Sequence, residues 1–235
     1  MAYSLFLTVR PTPDPQNISE LRELLEASFS HHENQTYFQA FSGRPNSPAL
    51  PRVVAQRLGA LSLLPSLLSS AGIPPDLLIL RRDSYGRPFL DTSRTAHVGI
   101  DFNLSHTANY VAAALLIGDG KVGVDIEDSI PPKRAMPLMQ RYCTPEELRT
   151  LDDCMLDEKV IADRFTSIWV KKEAMSKQHG EGMPLRYDAT RPPKNVRLWS
   201  GALADSKAKI AVCAPLEEAP LIPCVLADSI PLDIQ

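Results

Sequence analysis

No two cysteines in the chain are spaced as a CxxC clip. The four, Cys143, Cys154, Cys213 and Cys224, stand well apart, and no His-x-x-x-His accompanies them. The spacing gives neither a zinc finger nor a dithiol redox motif, and idle or buried reduced thiols are expected. Positive charge is not in excess either. A net charge of −3 and a pI of about 6.0 argue against a general nucleic-acid binder, while leaving room for a local basic pocket. The longest run free of polar residues, Tyr110 to Gly118, is too short to span a bilayer. Met1-Ala2-Tyr3-Ser4-Leu5-Phe6 carries no charged leader and no cleavage site. There is no low-complexity tract and no short-period repeat. A soluble, reducing, cytoplasmic setting is the expectation.

What is present describes a globular chain. Its 235 residues suffice for one large domain or two small ones, and 44% hydrophobic with 23% charged content excludes general disorder. The 21 prolines are about 9% of the chain against a usual ~5%, which implies rigid loops. Tyr3 to Val9 reads as a strand ended by Pro11, Pro13 and Pro15. Ser19 offers an N-cap for a helix to about Phe29, and residues 31 to 50 read as loop. Pro51 opens a helix to about Ser70 that Pro65 should kink or divide, and Gly72 stops it. Leu77 to Leu80 reads as a strand, 81 to 88 as a basic turn, and 102 to 107 as a polar turn before the strand Tyr110 to Ile117. Thr144-Pro145-Glu146-Glu147 is a capping-box helix start, and Asp157 caps a further helix to about Gln178. Val196 to Trp199 and Lys209 to Cys213 are late strands.

The stretch that organises the chain is Val122-Gly123-Val124-Asp125-Ile126-Glu127. Its apolar residues alternate with the others, as in a strand with one buried face, and it reads as the second arm of a hairpin turned at 118–121. Asp125 and Glu127 then leave the same face, with Cα atoms roughly 6.6 Å apart. Two like carboxylates repel unless a cation or a donor lies between them. The bare Gly123 lets another group approach the backbone. A third carboxylate, Glu173, follows Trp169 by one helical turn at the margin of the core, and Lys177 follows Glu173 by another. A carboxylate so placed needs a partner, and a hard cation is one candidate.

The hexapeptide at 122–127, followed about forty residues later by Trp169-Val170-Lys171-Lys172-Glu173-Ala174-Met175-Ser176-Lys177, resembles the signature of the Sfp-type 4′-phosphopantetheinyl transferases. Tyr85-Gly86-Arg87-Pro88 looks like that family's Gly-Lys-Pro turn, with Arg for Lys, and Asn103-Leu104-Ser105-His106 like its Asn-Ile-Ser-His. The likeness runs over roughly residues 50 to 215. It implies a mixed α/β (α+β) fold of two similar halves about a pseudo-twofold, dividing near residue 120 into 1–120 and 121–235, with coenzyme A between them. It implies Mg²⁺ on Asp125, Glu127 and Glu173. The reaction would be attack of a serine hydroxyl of an apo acyl, peptidyl or reductase carrier on the β-phosphate of coenzyme A, with adenosine 3′,5′-bisphosphate leaving. By the same resemblance Glu173 or a metal-bound water takes the serine proton, and Lys177 contacts the phosphates. The nucleotide contacts fall on Arg82, Gly86, Arg87, Pro88, Ser105 and His106.

The chain departs from the family along the helix opened by Pro51. It offers Arg52 and Arg57 there, with Arg52 the candidate for the 3′-phosphate, but has Ala60 and Leu64 where further basic residues are common. Lys133, Arg134 and Arg141 fall where the family docks its carrier, and a monomer is expected. A competing reading is a non-catalytic coenzyme A or carrier-protein binding module on the same fold.

Overall fold

Strand β1 (Ser4–Pro11) is followed by the helices α1 (Ile18–Ser28), α2 (Asn34–Gln39), α3 (Pro51–Leu61) and α4 (Leu64–Ser70). A small hairpin of β2 (Ile79–Arg82) and β3 (Pro88–Asp91) comes next, then β4 (Ile100–His106) and β5 (Tyr110–Ile117). β5 lies between β4 and β1, antiparallel to both. The pattern then repeats. Strand β6 (Gly123–Glu127) is followed by α5 (Pro132–Tyr142), α6 (Pro145–Asp152) and α7 (Glu158–His179), then β7 (Val196–Leu203) and β8 (Lys209–Pro215). β8 lies between β7 and β6, again antiparallel to both. The chain therefore runs twice through one strand–helices–strand–strand topology, as expected of a mixed α/β protein with two similar halves. The structure, a computed structural model, describes residues 4–39, 50–93, 99–152, 157–180, 187–204, 206–215, 223–226, 229–230 and 232–234. Within them the tail adds β9 (Pro223–Val225), parallel to β1, and β10 (Leu232–Ile234), antiparallel to β7.

The two sheets face each other. Leu5, Leu7, Val9, Ala112, Ala114 and Leu116 of the first pack on Val124, Ile126, Ile210, Val212 and Ala214 of the second. The other face of the first sheet, with Phe102, Val111, Ala113 and Leu115, is covered by α3 and α4. The other face of the second, with Ala211 and Cys213, is covered by Val170, Ala174 and Met175 of α7. β5 is thus buried on both sides, so its sequence is continuously apolar rather than alternating.

Several sequence expectations shift for physical reasons. The 51–70 helix breaks at 62–63, and Pro65 sits in the first turn of α4, where its missing N–H costs nothing. That stretch is long and apolar enough to cross a membrane by composition, but 56% of it is buried in the core. α1 starts one residue before Ser19, and the side-chain cap nearby belongs to Asp14, which holds the short turn Pro15–Asn17. Residues 31–50, read as loop, contain α2, anchored by the fully buried Asn34: its Nδ2 donates to Phe29 O (3.1 Å) and Leu78 O (3.0 Å), and its Oδ1 accepts from Leu80 N (2.7 Å).

Two corrections bear on the site. Residues 102–107, read as a polar turn, lie largely in β4. β6, read as the second arm of a hairpin with β5, belongs to the opposite sheet. One set of bonds explains both. Asp101 Oδ2 accepts from Val122 N (2.7 Å), Asn103 Oδ1 from Val124 N (3.0 Å) and Ser105 Oγ from Ile126 N (3.3 Å). Alternate polar side chains of one edge strand thus occupy alternate amides along the free edge of the other. The polar alternation of β4 is a lateral joint between the halves, which satisfies buried donors that would otherwise be orphaned.

Candidate functional site

Strand β6 carries Asp125 and Glu127 on the face turned to α7, opposite Val124 and Ile126. Gly123 shows why α7 can lie so close: a Cβ there would stand 2.0 Å from Ala174 O and 2.5 Å from Gln178 N. The group that approaches the glycine backbone is the helix that bears Glu173 and Lys177. That helix is held from behind. Lys172 Nζ is fully buried, 3.1 and 3.0 Å from the two carboxylate oxygens of Glu147, and donates to Tyr187 O (2.5 Å). Glu147 also closes the expected capping box with Thr144: Thr144 N donates to Oε2 (2.8 Å), and Glu147 N donates to Thr144 Oγ1 (3.2 Å). Lys172 thus points away from the site, and its neighbour Glu173 faces it. Gly180, with φ +88°, ends the helix in a left-handed cap.

Lys177 does not make the simple Glu173–Lys177 surface pair that its spacing allows. Its Nζ lies 2.7 Å from Asp125 Oδ1, 3.1 Å from Ser105 Oγ and 3.1 Å from Val124 O. Ser105 Oγ in turn donates to Asp125 Oδ1 (2.9 Å). The other Asp125 oxygen, Oδ2, is buried with no hydrogen-bond partner. Burial, and then the charge of Asp125, push Glu127 up to about 7, with Arg134 at 3.5 Å only partly offsetting them. Burial and Asp125 raise Glu173 as well, against Lys177. Two carboxylates raised by burial and by the charge of Asp125, beside an Asp125 with an orphaned oxygen, form a site short of positive charge. Their donor set suits a hard, oxygen-seeking cation. Among the described residues, no three acidic, histidine or cysteine side chains converge closely enough to enclose an ion as they stand.

Two clefts flank this cluster and meet at Pro88. One, of about 350 Å³, is lined by Tyr85, Gly86, Arg87, Asn103, Glu173, Ser176, Lys177 and Gly180. The other, of about 400 Å³, is lined by Tyr37, Arg57, Ala60, Arg82, Leu104 and His106. The Asp83 carboxylate shapes the turn between β2 and β3 by accepting from Tyr85 N and Arg87 N, both at 2.9 Å, and Gly86 takes φ +82° there. Arg82 stacks over the Tyr37 ring at 4.9 Å and donates to Gly86 O at 3.0 Å. His106 ends β4 with its pKa lowered, first by desolvation and then by the charges of Lys177 and Arg57, so a neutral imidazole faces the arginines.

Of the residues singled out from the sequence, Gly86, Arg87, Pro88, Glu173 and Lys177 come together in the first cleft, and Arg82, Pro88 and His106 in the second. Three stand differently from the simple expectation. Ser105 is 5% exposed, and its hydroxyl is spent on Asp125, Lys177 and the β6 amide. Arg87 lines the cleft, but its guanidinium turns inward to Asp101 Oδ2 (2.6 Å), Val122 O (2.8 Å), Phe102 O (3.2 Å) and Lys177 O. Arg52 sits at the exposed start of α3 with Nη2 at 3.4 Å from Ala108 O, and it lines neither cleft. In its place stands Arg57, on the same helix. Tyr37 was missed because it lies in a helix read as loop, and Tyr85, 71% exposed, stands at the mouth of the first cleft.

Comparison with known proteins points to one family. Residues 121–202 match the family model of the 4′-phosphopantetheinyl transferase superfamily. A 4′-phosphopantetheinyl transferase of Bacillus subtilis is 25% identical over 175 residues, 67% of this chain and 72% of that protein. The 4′-phosphopantetheinyl transferase Sfp of Bacillus subtilis strain 168 is 30% identical over 105 residues, 45% of this chain and 42% of that protein. The L-aminoadipate-semialdehyde dehydrogenase-phosphopantetheinyl transferase of Xenopus laevis is 30% identical over 135 residues, 55% of this chain and 44% of that protein. The chain thus spans under half the length of the last two.

Proposed function

The chain belongs to the 4′-phosphopantetheinyl transferase superfamily, and we propose that it transfers the phosphopantetheine arm of coenzyme A to a serine of an apo carrier protein. In the step, a bond forms between the serine oxygen and the β-phosphorus of coenzyme A. The bond from that phosphorus to the bridging oxygen breaks, and adenosine 3′,5′-bisphosphate leaves with the electron pair. The serine proton must go to a base. Glu173, half-buried in the first cleft and held above the ordinary glutamate range, suits that role. Lys177 supplies a cation at the same place for the pyrophosphate charge.

The observation that carries this reading is the meeting of the two clefts at Pro88. One offers arginines, a phenol and a neutral imidazole, fit for a phosphorylated nucleoside. The other offers Glu173 and Lys177, fit for the pyrophosphate and the incoming hydroxyl. Phosphoryl-group transfer depends on position and on neutralised charge more than on covalent help. Asp125, Glu127 and Glu173 would hold Mg²⁺, and the orphaned Asp125 Oδ2 is the feature that favours it. Bound there, Mg²⁺ would stabilise negative charge on the pyrophosphate. Lys133, Arg134 and Arg141 line exposed parts of α5. A basic surface there suits an acidic carrier and would speed encounter. We also propose that the chain acts as a cytoplasmic monomer.

A second reading, a coenzyme A or carrier binder without transfer, draws on one observation. Lys177 already neutralises Asp125, and the three carboxylates do not close on one point. One experiment separates the two readings. The protein is mixed with an apo carrier, coenzyme A and Mg²⁺, and the carrier is weighed by mass spectrometry. The expected result is a carrier heavier by one phosphopantetheine arm. Coenzyme A bound in calorimetry with an unmodified carrier would overturn transfer and leave the binder.

A further inference from the structure

Asp101 takes no place in the reaction described above, yet it is fixed at the junction of every element that builds the first cleft. It sits near the start of β4, its side chain 13% exposed, and its Oδ2 accepts both from Val122 N (2.7 Å) and from Arg87 Nη2 (2.6 Å). Arg87 carries the junction on. The same Nη2 donates to Phe102 O in β4 and to Val122 O at the entry to β6, and Nη1 donates to Lys177 O in the last turn of α7. That carbonyl is among the last four of the helix, which have no partner within it. A guanidinium there also suits the negative end of the helix.

Arginine has five N–H donors in a rigid fork. Here both terminal nitrogens are committed to protein oxygens, and 11% of the side chain is exposed. A group so engaged has little left to offer a phosphate. What it does hold is the backbone of Lys177, whose ammonium sits on Asp125 and whose neighbour one turn back is Glu173.

We propose that Asp101 and Arg87 form a positioning clamp that fixes the end of α7, and with it Lys177 and Glu173, against β6. In this arrangement Arg87 is not a ligand of the phosphates, and Asp101, which touches no substrate, governs the transfer step. The inference rests on the transferase reading above. Its physical basis is that a small displacement of groups aligned on a reacting phosphate is costly: about 1 Å can cost on the order of 100-fold in rate.

Asp101→Asn separates the alternatives. If Arg87 were a phosphate ligand restrained by Asp101, neutralising the carboxylate would free it, tightening coenzyme A binding and sparing kcat. For a clamp, kcat falls by about tenfold to a hundredfold, while the Kd for coenzyme A, by calorimetry, stays within about twofold. Arg87→Lys keeps the charge on Asp101 but cannot reach the three carbonyls, and should show the same split. Thermal melting confirms that each variant is folded at the assay temperature. A folded Asp101→Asn protein with wild-type kcat overturns the clamp. So does a Kd that weakens in step with kcat, which would mark a collapsed binding site. If both variants fail to fold, the pair is purely structural and the proposal falls. A wild-type protein that modifies no carrier overturns the transferase reading first, and this inference with it.

Discussion

Lys177 Nζ lies 2.7 Å from Asp125 Oδ1, so the charge facing the most buried carboxylate of the site comes from the protein's own helix. An added cation and this ammonium must share one aspartate. Asp125 has a second oxygen, Oδ2, without a hydrogen-bond partner, and Glu127 and Glu173 are both raised, first by burial and then by the charge of Asp125. The site therefore holds more negative charge than Lys177 alone offsets.

Removing Lys177 should make that excess visible. Lys177→Met is expected to bind Mg²⁺ several-fold more tightly than the wild type in calorimetry without coenzyme A, because one competing cation is gone. The same variant should bind coenzyme A more weakly, since a pyrophosphate loses its ammonium partner, and should lose most of its transfer activity. Unchanged Mg²⁺ affinity would show that Asp125 does not share its charge between lysine and metal.

The two arginines of α3 are separable by the same kind of titration. Arg57 lines the second cleft with Tyr37, Arg82 and His106, whereas Arg52 is directed to Ala108 O at the exposed helix start. Arg57→Ala should raise the Kd for coenzyme A by about tenfold, the scale of one charge-assisted contact. Arg52→Ala should leave it within about twofold. The reverse result would restore Arg52 as the 3′-phosphate contact.

The contrast shows what the sequence makes legible. The strand 122–127, the helix carrying Glu173 and Lys177, and the turn at Gly86 are visible from periodicity, capping and spacing, because each is fixed by local rules. Features that depend on a distant partner are not visible. Asn103 and Ser105 look like turn residues because polarity usually means solvent. Here they are buried, with their acceptors on the amides of β6. That β6 joins the far sheet follows from its pairing with β8, which no window of sequence around residue 125 contains. Arg87 matches the family's basic turn residue by position, and only the fold reveals that its guanidinium faces Asp101.

Gly123 tests how closely β6 and α7 must meet. An added Cβ would fall 2.0 Å from Ala174 O, a backbone atom that cannot swing aside. Gly123→Ala should destabilise the protein by about 3 kcal/mol, near the upper end of overpacking costs, measured by denaturant unfolding. Because the strand and helix must part to admit the methyl, the surviving folded fraction should also transfer poorly. A variant with wild-type stability would mean that α7 can move away without cost.

Glu127 gives the site a pH signature. Its carboxyl is pushed up to about 7, so the folded protein holds this proton more tightly than the unfolded chain, where an ordinary glutamate value near 4.5 applies. Between those two values the folded state binds the extra proton, and stability must fall as pH rises. For one proton the slope is at most about 1.4 kcal/mol per pH unit. Other carboxylates add slopes of their own, so the informative quantity is the difference between wild type and Glu127→Gln. Without Mg²⁺, the wild type should lose stability relative to the variant from about pH 4.5 to pH 7. A cation bound to ionised Glu127 should flatten that difference, since it favours the form that burial and Asp125 disfavour. The measurement is chemical unfolding of both proteins across that range, with EDTA and with Mg²⁺. Parallel stability curves in EDTA would show that Glu127 titrates as an ordinary surface glutamate and that the carboxylates do not act on one another.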